Sequence, residues 1–265
     1  AAALTRTIWS YFIDVGYRNR PGWDRATRDE IFSFGKWIFG SSALAFVGTQ
    51  GDRLMLARFI GMGPLGVYSI AVYLSDAVGA LVSRITGGVL YPILSQLARE
   101  SPERIRSAYY KTRLRLDLLS LTSLGALVGL AQTVVDILYD ERYSEAGWML
   151  QPLCIRVAMA CMLGQCETCL NSLGHTRYGF YRAIGQTVWV FIGVPIGWAY
   201  WGVEGVIWAV ALTHVPAMVL LWLPFHSLGL LRLSRELLAV AFFVVGAIGG
   251  HLASPYVNAI AEHFS

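Results

Sequence analysis

Residues 51–76 read Gly51-Asp52-Arg53-Leu54-Met55-Leu56-Ala57-Arg58-Phe59-Ile60-Gly61-Met62-Gly63-Pro64-Leu65-Gly66-Val67-Tyr68-Ser69-Ile70-Ala71-Val72-Tyr73-Leu74-Ser75-Asp76. They form the joint between two apolar segments that together run from Phe34 to Arg99. Gly and Pro at 61–66 mark a tight turn, because Gly tolerates positive φ and Pro presets turn geometry. On either side Leu, Ile, Val, Phe and Gly crowd out charge, which predicts helices over 31–58 and 67–98 joined by a turn at 62–66. At 1.5 Å per residue the second helix outruns a hydrocarbon core of about 30 Å, so it tilts or projects into water.

The composition extends this reading to the whole chain. Of 265 residues, 55% are hydrophobic and 14% charged, against roughly a quarter charged in globular domains. The mean hydropathy is +0.52. These values define an all-α, polytopic transmembrane bundle. A β-barrel would show alternating segments of about ten residues, which are absent. Five more spans are expected, over 116–138, 148–170, 179–200, 206–225 and 237–253, so that 31–253 holds about seven. Residues 1–16 read as the end of a preceding helix, 17–30 as a cytoplasmic linker, and 254–265 as an outer tail leading to a further helix. The chain opens on Ala1 and reads as an excerpt cut at both ends, without a signal peptide.

The basic residues set an orientation. Arg18, Arg20, Arg25, Arg28 and Lys36 share one loop. Arg99, Arg104, Arg106, Lys111, Arg113 and Arg115 share another. Arg177 with Arg182, and Arg232 with Arg235, fill the next two of the same set. The intervening turns hold little beyond Arg58 and Arg142. By the positive-inside rule, 17–36, 99–115, 171–182 and 226–236 are cytoplasmic, and 59–66, 139–147 and 201–205 are outside. Trp148, Trp198, Tyr200 and Trp201 then fall at the outer interface, which favours amphipathic rings.

Ionisable groups inside apolar helices are costly and point to function. On the helix after the turn, Ser69, Tyr73, Asp76, Ala80, Ser83, Arg84, Gly87 and Tyr91 fall within an arc of about 100°. On 148–170 and just beyond it, Arg156, Ala160, Gly164, Glu167 and Asn171 share an arc of about 80°. Each stripe pairs an Arg with a carboxylate. The candidate cavity residues are Arg84, Arg156, Asp76, Glu167, Tyr73 and Tyr91, because a guanidinium fork suits phosphate oxygens. The competing reading is ion pairing between helices, for example Arg84 with Asp76 or Glu167. Asp52, Asp76 and Glu167 are the coupling-ion candidates. Asp52, Arg53, Asp117 and Asp136 lie close to span ends, where a solvated interfacial place is also open to them. His214 beside Pro216 reads as a packing residue.

Other chemistry is thin. No H-E-x-x-H, G-x-S-x-G or phosphate-binding glycine loop is present, and no metal or cofactor is expected. The four cysteines, Cys154, Cys161, Cys166 and Cys169, share one helix, with neither a second pair nor a His cluster to complete a site. They read as small apolar packing residues. Gly125-x-x-x-Gly129 and Gly193-x-x-x-Gly197 are spaced for close helix packing.

With Phe34-Gly35 opening the helix, Asp52 to Gly61 and Leu65 to Ser69 resemble the Wzx-type polysaccharide flippases of the multidrug, oligosaccharidyl-lipid and polysaccharide exporter superfamily. Tyr91-Pro92-Ile93-Leu94-Ser95, Ile137-Leu138-Tyr139-Asp140-Glu141-Arg142-Tyr143 and Asn171-Ser172-Leu173-Gly174-His175-Thr176 extend the likeness over nearly the whole chain. The resemblance implies two related lobes around a central cavity, of which this chain is the tail of the first and most of the second. It also implies alternating access in the bacterial cytoplasmic membrane. A polyprenyl-pyrophosphate-linked oligosaccharide would be carried outward, with cationic side chains meeting the pyrophosphate. The implied partners are that lipid-linked oligosaccharide, membrane lipids, the first lobe and a polysaccharide polymerase, with no nucleic acid and no enzymatic activity. Rival readings are a multidrug exporter of the same superfamily and a membrane-embedded glycosyl- or acyltransferase.

Overall fold

The computed structural model describes residues 25–264; several side chains of the first helix, including those of Asp52 and Arg53, lie outside that description. So do residues 1–24, and with them the expected helix end at 1–16 and most of the 17–30 linker. The described elements are α1 (Arg25–Ile60), α2 (Met62–Ile85), a π-helical turn (Thr86–Leu90), α3 (Tyr91–Glu100), α4 (Ile105–Gly129) and α5 (Ala131–Leu138). Then follow α6 (Ala146–Ser172), α7 (Arg177–Ala211), α8 (His214–Ser227) and α9 (Leu233–Phe264). The described residues fall into two units, 25–36 and 37–264. In the first, Arg28 pairs with Asp29 at 2.8 Å.

Several boundaries differ from the sequence reading. The break after α1 is Gly61 alone, at φ 78° and ψ 175°, and Met62 to Gly66 are already helical. One left-handed glycine reverses the chain, so the longer turn is not needed. The rod from Met62 to Glu100 is not uniform: Thr86–Leu90 is π-helical. Pro92 follows directly, in the first turn of α3. A proline inside a helix lacks its N–H and crowds the carbonyl four residues back, here that of Gly88; the wider π turn absorbs both effects. The span expected over 116–138 ends at Gly129, and α5 departs from α4 at 72°. The last helix continues through Pro255 to Phe264, where a polar tail was expected from Ser254.

Five helical stretches among the described residues are long and apolar enough to cross a membrane, or six if bent α4–α5 counts as one. The stretch Arg177–Ser227, of 51 residues, is one of the five, yet at about 76 Å it is far too long for a single pass. It folds back at Gly202, which sits at φ 58° and ψ −134°. Gly197 lies against Gly205, and Gly185 against Ala217 and Leu220. The Trp189 indole Nε1–H donates to the Ala209 carbonyl at 2.8 Å. Residue numbers on the two limbs run in opposite directions, so 177–201 and 203–227 form an antiparallel hairpin. Counting it as two passes and α4–α5 as one gives seven.

Three pairs of helices that are remote in sequence run parallel. Trp37 stacks edge-on with Phe180 at 5.4 Å, and Phe59 meets Trp198 at 5.7 Å, which aligns α1 with the first limb of α7. Gly79 touches Val157, one turn along from the Asp76–Arg156 contact, which aligns α2 with α6. Thr122 lies on Gly246 and Ala126 on Gly250, which aligns α4 with α9. The α4–α9 contact is the tightest. A Cβ on Gly125 would meet the Phe243 backbone, and one on Gly129 the backbone of Ala247 and His251. Small residues let backbones approach in this way where no hydrophobic drive separates lipid from side chain.

The interior has two apolar clusters. One holds Leu56, Leu121, Leu124, Leu150, Leu153, Val194 and Ile207. The other holds Leu90, Leu94, Tyr109, Leu163, Leu170, Leu221 and Phe225. The outer surface is apolar as well: Leu237, Val240, Val244, Val245, Ile248 and Leu252 of α9 are all exposed. A stripe of that length would be unstable in water but matches a bilayer core. The protein is a multi-pass membrane helix bundle.

Candidate functional site: a charged cavity between α2 and α6

A cavity of about 590 Å³ lies along the α2–α6 contact. Asp76, Ser83 and Gly87 line it from α2 and the π turn; Arg156, Gly164 and Glu167 line it from α6; His214 reaches it from α8. The helical stripes explain the placement. Asp76, Ala80, Ser83 and Gly87 occupy one half of the polar arc on α2. Tyr73, Arg84 and Tyr91 occupy its other edge and are absent from the lining. Asp76, Ala80, Ser83 and Gly87 remain exposed, so the cavity opens along that helix.

Charges in the cavity are paired across helices. Arg156 Nη2 donates to Asp76 Oδ1 at 2.6 Å; the arginine is 19% exposed and the aspartate 53%. Arg156 Nε is buried without a hydrogen-bond acceptor. Arg182 of α7, which is not part of the lining, has its Nε 2.8 Å from Glu167 Oε2 as an ion pair, without hydrogen-bond alignment. Arg182 Nη1 donates to Gln186 Oε1 at 2.7 Å. His214 Nδ1 is buried and lacks a partner. The site therefore presents one guanidinium group, that of Arg156, half-engaged by one carboxylate, together with an unsatisfied imidazole nitrogen; Arg182 holds Glu167 from outside the lining. Such an arrangement accepts an anion when a carboxylate lets go.

The candidate residues separate into two sets. Arg156, Asp76 and Glu167 come together in the cavity. Arg84, Tyr73 and Tyr91 do not: all three are exposed on the flank of α2 and α3, Tyr73 at 73%. The competing reading, ion pairing between helices, holds for these carboxylates with other partners than Arg84: Arg156 pairs with Asp76 and Arg182 with Glu167. The Asp52 side chain lies outside the described residues. Arg182 had counted only toward loop charge, and its position on α7, facing Glu167, gives it a second role. His214 lines the cavity rather than merely packing. All four cysteines are buried and unbridged. No metal-binding cluster occurs among the described residues. Cys161 nonetheless lines the cavity.

A second buried polar group escaped the sequence reading. Arg113, expected in a basic loop, is 2% exposed on α4. It donates Nε–H to Asp117 Oδ2 at 2.9 Å. Its two Nη groups donate to both Glu236 carboxylate oxygens at 2.5 and 2.6 Å. The same guanidinium donates to the Tyr109 hydroxyl at 3.0 Å, and the Gln165 amide donates to Asp117 Oδ1 at 2.9 Å. Asp117 is therefore buried rather than interfacial. Tyr109, Arg113, Leu116, Asp117 and Ser120 are all buried. That stripe, at helical spacing, was the signal that Arg113 faces inward.

Residues 1–147 match the family described as "Polysaccharide biosynthesis protein". The chain is 21% identical to the lipopolysaccharide biosynthesis protein WzxC of Escherichia coli, over 95% of this chain and 54% of that protein. It is 23% identical to the amylovoran biosynthesis protein AmsL of Erwinia amylovora, over 93% of this chain and 64% of that protein. With the succinoglycan biosynthesis transport protein ExoT of Rhizobium meliloti it shares 25% identity, over 87% of this chain and 49% of that protein. It thus spans about half to two thirds of the length of these relatives. No solved structure matches it. The chain belongs to the polysaccharide biosynthesis protein family.

Proposed function

We propose that this chain forms part of a flippase that carries a polyprenyl-pyrophosphate-linked oligosaccharide across the bacterial cytoplasmic membrane by alternating access. The protein is a carrier and not an enzyme in this reading. The remaining lobe of the polypeptide closes the open side of the α2–α6 cavity, and a polysaccharide polymerase takes the product. The observation that carries the proposal is Arg156: it lines the cavity, gives one amino group to Asp76, and keeps a buried Nε without an acceptor. A guanidinium held in this way is ready for a bidentate phosphate contact. Asp76 and Glu167 act as the coupling groups: neutralisation of Asp76 frees Arg156 for the pyrophosphate. Family membership supports the class of substrate.

Full-length protein reconstituted in proteoliposomes with a labelled polyprenyl-pyrophosphate oligosaccharide tests the proposal. Protein-dependent movement of the label between leaflets is expected. Export of organic cations without any movement of the lipid-linked sugar would instead assign a multidrug exporter.

A further inference from the structure

A second cavity, of about 340 Å³, lies where the start of α4 meets the start of α9. Lys111 and Arg115 line it from α4, and Arg232 and Arg235 from the other side. Tyr110 and Ser107 complete its polar wall, and no carboxylate among the described residues lines it. Among the described residues, no ion pair engages any of the four cations. Glu236, next to Arg235 in sequence, and Asp117, two residues from Arg115, are both buried and held by Arg113. The Arg232 guanidinium rests 5.8 Å from the Tyr110 ring, and the Tyr110 hydroxyl accepts the Arg232 backbone N–H at 2.7 Å. That bond fixes one edge of the cavity. Four like charges gathered around one small space repel each other unless an anion joins them.

The surroundings indicate which anion. One turn along α4 from Leu114 and Arg115, which line the cavity, Leu118 and Leu119 are exposed. A phosphate seated among the cations would have the Leu114 side chain beside it, with Leu118 and Leu119 one turn further on. The Lys/Arg asymmetry puts this end of the bundle in the cytoplasm. We infer that the cavity binds the phosphate headgroup of an anionic lipid of the cytoplasmic leaflet, whose acyl chains lie along Leu114, Leu118 and Leu119. Basic pockets between membrane helices suit such headgroups, and the adjoining apolar strip favours a lipid over free phosphate. This site is separate from the α2–α6 cavity and does not depend on the proposed transport reaction.

The experiment is native mass spectrometry of the delipidated protein, with phosphatidylglycerol, phosphatidylcholine or inorganic phosphate added back. Retained phosphatidylglycerol, little phosphatidylcholine and no displacement by millimolar phosphate are expected. The Lys111→Gln, Arg115→Gln double variant removes two exposed, unpaired cations and is expected to lower phosphatidylglycerol retention roughly tenfold. The Arg99→Gln, Arg104→Gln variant, equal in charge but outside the cavity, is expected to retain the lipid. Unchanged retention in the first variant, or an equal loss in the second, would overturn the site. Full displacement by inorganic phosphate would overturn the lipid assignment.

Discussion

At the scale of single residues, the strongest polar contacts lie away from the cavity. Arg113 answers two buried carboxylates at once, and removing it would leave Asp117 and Glu236 facing each other at 5% and 3% exposure. Breaking a buried ion pair by deleting one partner costs about 3–5 kcal/mol. Arg113→Ala is therefore expected to cut folded yield sharply, and Arg113→Ala with Glu236→Gln to recover part of it. Thermal unfolding monitored by size-exclusion chromatography in detergent reads both. The contrast with Arg156 is one of access: its partner Asp76 is half exposed, so a ligand can compete for the guanidinium. Sequence periodicity placed Arg156, Asp76 and Glu167 on inward stripes, and the structure brings these three together. It placed Arg84 there too, because an arc of about 100° does not say which of its edges meets a neighbour. Arg113 and Arg182 were hidden for a different reason. Charge counts near helix ends reveal orientation, and an inward-facing arginine contributes to that count like any other.

At the scale of elements, glycine placement decides packing. Gly125, Gly129, Gly246 and Gly250 put backbone against backbone along α4 and α9, so any added side chain must push the helices apart. Overpacking of this kind costs about 1–3 kcal/mol. Gly246→Leu is expected to lower the unfolding temperature and the folded yield, whereas Gly87→Ala, which meets nothing within 4 Å, is expected to leave both unchanged. The first of these motifs was legible in the sequence as Gly125-x-x-x-Gly129, but its partner helix was not, since spacing alone names no neighbour. The π turn at Thr86–Leu90 was likewise not legible. Pro92 announces a disturbance, and whether the chain kinks or widens depends on what packs beside it. The hairpin at Gly202 was legible, because Trp201-Gly202-Val203-Glu204-Gly205 interrupts two apolar runs that each match a membrane thickness.

At the scale of the whole molecule, the alternation of basic and neutral loops agrees with the observed packing. Helices expected to run in the same direction, such as α4 with α9 and α2 with α6, are the ones found parallel. In a cysteine-free background of the full-length protein, Arg104→Cys is expected to react with a membrane-impermeant maleimide only after the membrane is opened. Asp140→Cys is expected to react in intact cells, and the reverse pattern would invert the orientation. The central claim is that Arg156 holds the pyrophosphate of a lipid-linked sugar, and leaflet-to-leaflet transport by Arg156 variants of the full-length protein, normalised to folded protein, tests it most directly. Arg156→Lys keeps the charge but loses the fork, so it is expected to slow transport. Arg156→Ala is expected to lower transport roughly tenfold or more, as loss of a charge-assisted contact implies, and adding Asp76→Ala is expected not to restore it. Full transport by Arg156→Ala, or its rescue by Asp76→Ala, would contradict the account and leave the pair a structural brace.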